Sequence, residues 1–284
     1  MLLILDDGLH FKNKEGLIKM LEYLKIKYTV GTHVHIKDCD VIYSPSNPID
    51  ASLYPNKKFI FGPHFSTFPN EKVVNIKNTH NNCVYIQPSE WVYQLWKSFS
   101  IVQHIPLQVF NFPVNTEKFA PNKSFDERSR VFIYFKRRKP EELDFVIRFC
   151  KRKNILPQVF DYVKRYDEQE YLDCLQNSSF GIILDAHESQ GFAIEEALSC
   201  DVPLLVWNVK TMDQEHGSSY QKIPCTSIPY WNNDECGNMF YERDELETAF
   251  HMLIKNLPLY TPRQYILENV SVEKCAQRLE TLIR

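Results

Sequence analysis

Short, nearly continuous apolar runs alternate along the chain with segments whose apolar residues recur at three- and four-residue spacing. This is the pattern of buried parallel strands joined by helices. Leu2–Leu5 predicts a strand, Glu15–Leu24 a helix, and Lys27–Val30 and Asp40–Tyr43 further strands. Lys58–Phe61 and Cys83–Ile86 continue the series, and Ser89 is placed to cap a helix opening at Glu90-Trp91-Val92. From Phe112 to Ser124 the chain carries Pro, Asn and charge with little periodicity, which marks a domain boundary.

A second series follows. Val131–Phe135, Pro157–Asp161, Phe180–Leu184 and Val202–Trp207 predict strands. Glu141–Lys153, Glu168–Gln176, Gly191–Ser199, Asp244–Asn256 and Val272–Ile283 predict helices, the first opening after Pro140. Val202–Trp207 is almost free of polar residues, which predicts a central strand covered on both faces. Two α/β domains facing a central cleft are the expected architecture, and ligands of such sheets bind beyond the carboxyl ends of the strands.

Composition narrows the functions open to this frame. Of the 284 residues 44% are hydrophobic and 24% charged, so disorder and a small disulfide-stapled scaffold are excluded. The net charge of -3 gives no general attraction to a phosphate backbone, which argues against nucleic acid as a partner. Met1-Leu-Leu-Ile-Leu-Asp-Asp lacks the basic and long apolar regions of a signal peptide, and no apolar run is long enough for a membrane span. No amphipathic basic helix marks a membrane anchor. The eight cysteines form no C-x-x-C pair, so they read as reduced, mostly buried thiols and the expected compartment is cytoplasmic. Only eight glycines are present, with no G-x-G-x-x-G and no P-loop, which argues against a nicotinamide-type Rossmann enzyme and against a P-loop kinase or ATPase.

The chemistry concentrates in Leu184-Asp-Ala-His-Glu188-Ser-Gln190-Gly191-Phe192-Ala-Ile-Glu195-Glu196-Ala-Leu-Ser-Cys200-Asp-Val-Pro203. A strand ends, Glu188 sits on the loop, Gly191 opens a helix and Glu196 lies on it. Free N–H groups and a partial positive charge at such a helix start suit a phosphate, and glycine permits close approach. Glu188 is placed to accept hydrogen bonds from hydroxyls, and Glu196 to accept two ribose hydroxyls. The competing reading is an acid favoured at a helix start by the dipole, with Glu196 solvated.

The spacing Glu188-x7-Glu196, followed by Ala197 and Pro203, resembles the E-x7-E signature of retaining glycosyltransferases of family 4, which have the GT-B fold. Gln190 stands where Phe is usual, Ala193 where Pro is frequent and Asp201 where Gly is usual. Asn115-Thr-Glu-Lys-Phe119-Ala-Pro121 is similar to the family's interdomain segment, with Phe112, Pro113 and Asn115 departing from it. The resemblance covers most of the second half and is thinner over the first hundred residues.

What it implies is a compact member with a reduced N-terminal domain: residues 1–115 on the acceptor side, 116–265 holding the donor, and 266–284 packing back on the first domain. The implied reaction moves a hexose-like sugar from a nucleoside diphosphate sugar to a glycan, lipid or protein hydroxyl. It proceeds with retention and with neither metal nor cofactor. Glu188 and His64 are the implied catalytic residues. Lys136, Arg137, Lys139, Gln190, Gly191, Phe192 and Glu196 are the implied donor contacts. Within Lys136-Arg137-Arg138-Lys139 either Lys136 or Arg137 supplies one cation and Lys139 the other, against the alternative of a solvated charge run.

His64 follows a predicted strand and is equally readable as a structural histidine. His33-Val-His35 places two imidazoles on one strand face without a third ligand. Asp6-Asp7-Gly8 replaces the Gly-rich loop usual after the first strand. Trp91, Tyr93, Trp96 and Tyr230-Trp231 read as packing or as sugar-stacking aromatics, with packing favoured for the first three. A sugar-nucleotide binding protein without catalysis and a sugar-nucleotide epimerase remain as rival readings, and a DNA-glucosylating enzyme is disfavoured by the charge.

Overall fold

Every strand pairs in parallel with its neighbours, in two separate sheets, and most of the strands are apolar at successive positions and buried along their length. The computed structural model describes residues Met1–Arg284. The chain divides into a first unit, Met1–Pro113 with Val270–Arg284, and a second, Val114–Asn269. No helix is long and apolar enough to cross a membrane.

The first unit contains β1 (Leu2–Leu5), β2 (Tyr28–Gly31), β3 (Val41–Ser44), β4 (Lys58–Phe61), β5 (Cys83–Gln87) and β6 (Leu107–Val109), in the order β2-β1-β3-β4-β5-β6. Its helices are α1 (Phe11–Tyr23), α2 (Glu90–Lys97) and α9 (Val272–Ile283). Leu17, Met20 and Leu21 of α1 and Cys275, Ala276, Leu279 and Leu282 of α9 are buried, and the two helices pack together. Arg278 fixes α9 to the end of the first stretch by donating to Asn111 Oδ1 at 2.6 Å.

The second unit contains β7 (Arg130–Lys136), β8 (Gln158–Asp161), β9 (Ser178–Asp185), β10 (Leu204–Trp207) and β11 (Gly237–Phe240), in the order β11-β10-β9-β7-β8. Around it lie α3 (Pro140–Arg152), α4 (Glu168–Gln176), α5 (Phe192–Ser199), α6 (Asn233–Cys236), α7 (Leu246–Asn256) and α8 (Pro262–Asn269). Strand alternation sends Val131, Ile133 and Phe135 of β7 and Ile182 and Leu184 of β9 into one core with α3 and α7. The intervening Phe132 and Tyr134 face the other side, where they meet Phe160 and Tyr171. Lys136 continues that second face at the carboxyl end of β7.

Several sequence expectations are corrected. The central strand of the second sheet is β9; β10 is fully buried but lies one place off centre, between β9 and β11. His33-Val-His35 belongs to an exposed 3-10 helix, His33–Asp38, so its two imidazoles do not share a strand face. The short strands β6 and β11 and the helix α8 carry too little pattern to be expected. Trp96 is fully buried, stacked on Tyr85 at 4.4 Å, and is core.

Gly237 has φ +135°, and a Cβ there would lie 2.1 Å from the Leu204 carbonyl oxygen. Neither the backbone conformation nor the strand spacing can yield. Gly237→Ala is expected to cost about 3 kcal/mol, the upper range for overpacking, or roughly 6–12 °C in midpoint for a domain of this size. Thermal unfolding followed by circular dichroism checks this; an unchanged midpoint refutes it.

Candidate functional site

The carboxyl end of the second sheet gathers charge from three chain segments. Lys136 and Asp185 are direct partners in the β7–β9 register, so both side chains emerge on the same face at the last position of their strands. The loop after β9 turns back, and Lys136 Nζ donates to Glu188 Oε1 in a part-buried ion pair. The ammonium also lies 4.6 Å from the Tyr162 ring centroid, on the loop after β8. Burial works against the Lys136 charge, but Glu188 and Asp185 outweigh it and hold the ammonium firmly protonated. Burial likewise works to raise Glu188, and the neighbouring Lys136 charge more than reverses it, so Glu188 ionises below the usual carboxylate range.

Arg137 has φ +52°, and this local reversal separates the fates of the four consecutive cations. Arg137 is exposed and reaches Glu215 Oε1 at 3.4 Å. Glu215 Oε2 lies 3.3 Å from His187 Nδ1. Burial lowers His187, Glu215 offsetting it only in part, so the ring is held neutral beside the carboxylate. Arg138 turns inward and is 2% exposed. It forks onto Glu142, at 2.9 and 2.8 Å, and donates to the carbonyls of Asp185 and Trp207 at 3.2 and 2.8 Å. Lys139 is exposed at the N-cap of α3 and is not drawn toward Glu188.

The connection from β10 to β11, residues 208–232, lies against this strand end. Ser227 Oγ donates to the carbonyls of Asp185 and Ala186, and Glu188 N donates to the Thr226 carbonyl. These contacts fix the loop that carries Glu188.

Gly191 opens α5 with φ +95°, a backbone conformation that favours glycine, and a Cβ there would stand in ordinary contact with Glu188 Cβ at 3.5 Å. Gln190 is buried and donates to Glu195 at 3.0 Å, while Phe192 is half-buried at the first helical position. Glu196 is 2% exposed and lies close enough to Tyr166 and Tyr171 to raise both phenols further after burial has done so. The solvated-acid reading of Glu196 is therefore overturned. The carboxyl end of α5 is tied down by two arginines. Arg128 donates to the carbonyls of Cys200 and Asp201, and Arg263 to those of Ser199, Phe119 and Thr116.

His64 belongs to the first unit. It follows the carboxyl end of β4, with Nε2 2.9 Å from Asn13 Nδ2 and its backbone N–H donating to the Pro45 carbonyl. Burial, then the neighbouring His10, lowers its pKa to about 4. The unfolded chain binds this proton near pH 6.5, so stability from a neutral His64 is complete above that value and is lost as pH falls toward 4. His64→Gln is expected to flatten the pH dependence of unfolding free energy between pH 6.5 and 4. Urea titrations of both proteins check it, and identical slopes refute it.

Sequence reasoning pointed to Glu188 and Gly191 through the motif and to Lys136 or Arg137 through the basic run. It did not single out Asp185, Glu215 or Tyr162, which strand register and loops distant in sequence bring to this strand end. An acid at a strand end beside the motif was the one available signal, for Asp185.

No family model matches the chain, and no curated protein sequence matches it. Solved structures do. A lipopolysaccharide outer core galactosyltransferase, WaaB, matches at TM-score 0.58 and 11% identity, covering 100% of this chain and 99% of its own. The catalytic domain of starch synthase IV from Arabidopsis thaliana, bound to ADP and acarbose, matches at TM-score 0.52 and 12% identity, covering 98% and 78%. TarM matches at TM-score 0.57 and 13% identity over 93% of this chain, which spans 57% of TarM. The shared fold is the α/β architecture of GT-B glycosyltransferases.

Proposed function

We propose that the protein is a glycosyltransferase that moves a sugar from a nucleoside diphosphate sugar to an acceptor hydroxyl, with retention of configuration and without a metal. One observation carries the reading: the glycine-started N-terminus of α5 lies between Glu188 and Glu196, and Glu188 is held by Lys136 at the end of the adjacent strand. The helix N–H groups and dipole, with Lys136 and Arg137, supply fixed positive charge where a leaving diphosphate gains negative charge. This is the basis for assigning no metal. Glu196 is assigned to the ribose, Gly191 and Phe192 to the diphosphate approach, and Glu188 to the sugar. ADP in the starch synthase domain supports the ligand class.

Retention follows from the E-x7-E resemblance. The C1–O bond to the diphosphate breaks, the acceptor oxygen bonds C1 from the same face, and the acceptor proton passes to the departing phosphate. The test is a thermal-shift screen of UDP, GDP, ADP, CMP and TDP, each with and without EDTA, followed by the anomeric configuration of the product by NMR. A nucleotide at 100 times its Kd adds about 2.7 kcal/mol, which is a midpoint rise of roughly 5–10 °C. An inverted product would sink the retaining assignment, and loss of the shift in EDTA the metal-free one. Binding with no turnover would leave a nucleotide-sugar binding protein, and product from donor alone an epimerase.

A further inference from the structure

Asn208 stands directly after β10 and is only 3% exposed. Its backbone is fixed by the sheet: the Asn208 N–H donates to the Phe240 carbonyl at 2.9 Å, continuing the pairing of β10 with β11. Its side chain turns to the chain that returns eighteen residues later. Asn208 Oδ1 accepts from the Ser227 N–H at 2.8 Å, the Thr226 hydroxyl at 3.0 Å and the Val209 N–H at 2.9 Å. Backbone N–H groups only donate, so the amide is oriented with its oxygen toward the returning loop. Its nitrogen faces Met239 Sδ and the Tyr241 hydroxyl, at 3.7 and 3.5 Å. The Thr226 hydroxyl in turn accepts from the Ile228 N–H at 3.1 Å. The two residues held in this way are the ones that touch the turn bearing Glu188. Ser227 Oγ donates to the Asp185 and Ala186 carbonyls at 2.9 and 2.8 Å, and the Glu188 N–H donates to the Thr226 carbonyl at 3.1 Å. The other side of the turn is tied to β7, where the Ala186 N–H donates to the Lys136 carbonyl at 3.1 Å.

We propose that Asn208 is a positioning residue for the donor site: its side-chain oxygen fixes Thr226 and Ser227, and through them the turn that carries Glu188 into Gly191 and the start of α5. The proposal rests on the reading of this strand end as the donor site. Asn208 acts without touching the ligand. A connection as long as residues 208–232 has many conformations of its own, and a tie from the rigid sheet to its far end removes most of them. Without the amide oxygen, the Ser227 N–H is left buried without that acceptor, and the 226–227 segment loses its hold on the turn. A diphosphate lodged between Lys136 and the first turn of α5 needs residues 186–191 in place. Opening of the turn and binding of the ligand therefore exclude one another, so bound ligand must oppose the opening.

Amide hydrogen exchange of the whole protein, read residue by residue by NMR, tests the tie. In the unmutated chain the Glu188 and Ser227 amides should be protected; exchange at the rate of a free amide overturns the proposal without any variant having to fold. Asn208→Leu, alike in size but lacking the acceptor, should speed both amides by roughly tenfold, the worth of one hydrogen bond. Ile133, buried in the middle of β7, should keep its rate. Asn208→Asp retains the accepting oxygen and should leave both amides slow. Equal acceleration at all three amides in Asn208→Leu, or no rescue by Asn208→Asp, overturns the positioning role. Inorganic pyrophosphate then tests the link to the site in the unmutated chain. At 100 times its calorimetric Kd it should slow Glu188 exchange by about a hundredfold. Binding that leaves the Glu188 rate unchanged overturns the positioning role alone. Failure of pyrophosphate to bind, with the Asn208-dependent protection intact, overturns the donor-site reading and with it the positioning role.

Discussion

Lys136→Met is expected to abolish nucleoside diphosphate binding and to lower the thermal midpoint by roughly 10 °C, the equivalent of the 3–5 kcal/mol typical when one partner of a buried pair is removed. The side chains of Lys136 and Glu188 are only 12% and 14% exposed, so solvent cannot replace the lost cation. Asp185 and Glu188 would then share their site with no positive charge. One of them responds by ionising only at higher pH than before. A carboxyl raised in the folded state destabilises increasingly as pH climbs from its unfolded value toward its folded one. The midpoint deficit of Lys136→Met relative to the unmutated protein should therefore be smallest near pH 5 and grow toward pH 8. Glu188→Gln added to Lys136→Met removes the orphaned charge, so the double variant should regain most of the stability but none of the binding. Scanning calorimetry and a nucleotide titration read both effects. Retained binding in Lys136→Met would remove this lysine from the proposed donor site, and a pH-independent deficit would show that Glu188 does not depend on its charge.

Two residues further along, Arg138→Ala is expected to cost about 3–5 kcal/mol, the range for breaking a buried charged network. Three acceptors lose a charged donor at once: the Glu142 carboxylate and the carbonyls ending β9 and β10. The guanidinium also lies 5.1 Å from the Trp207 ring, so packing is lost with the charge. Lysine cannot reproduce a fork that serves a carboxylate and two carbonyls together, so Arg138→Lys should recover little. The adjacent Lys139→Ala, at an exposed position, should change stability by under about 0.5 kcal/mol. Urea denaturation of the three variants decides whether one member of this run is structural while its neighbours serve the surface. Equal losses at 138 and 139 would refute the distinction.

The contrast between those neighbours shows where sequence reasoning stops. Four consecutive cations after a strand identify the place but not the direction of each side chain, and it is the left-handed backbone at Arg137 that turns Arg138 inward. Strands such as Ile4-containing β1 and Leu204–Trp207 were legible because burial on both faces leaves unbroken apolar runs. That same property misplaced β10 as central, since coverage by helices does not depend on rank within the sheet. β11 reads Gly-Asn-Met-Phe, with its two middle residues half-buried, and offers neither alternation nor a run. His33-Val-His35 alternates like a strand, but without a partner it closes into a 3-10 turn under Thr32. In the site, the residues on one short loop and helix were legible as a motif. Asp185, Tyr162 and Glu215 depend on strand register and on the long β10–β11 connection, which no local spacing encodes.

The ties at the tail of α5 and along α9 also set an order of assembly. Arg263 reaches the Phe119 and Thr116 carbonyls across 144 and 147 residues of chain, so α5 lacks part of its anchoring until residues beyond 260 have been synthesised. The first unit waits longer still. Its α1 packs against α9, and Asn111 receives Arg278 across 167 residues. On a ribosome, the unit made first is thus the one completed last, after the whole of the second has emerged. During that interval Leu17, Met20 and Leu21 of α1 have no α9 to cover them, which makes this helix face the natural point of contact for a chaperone during synthesis.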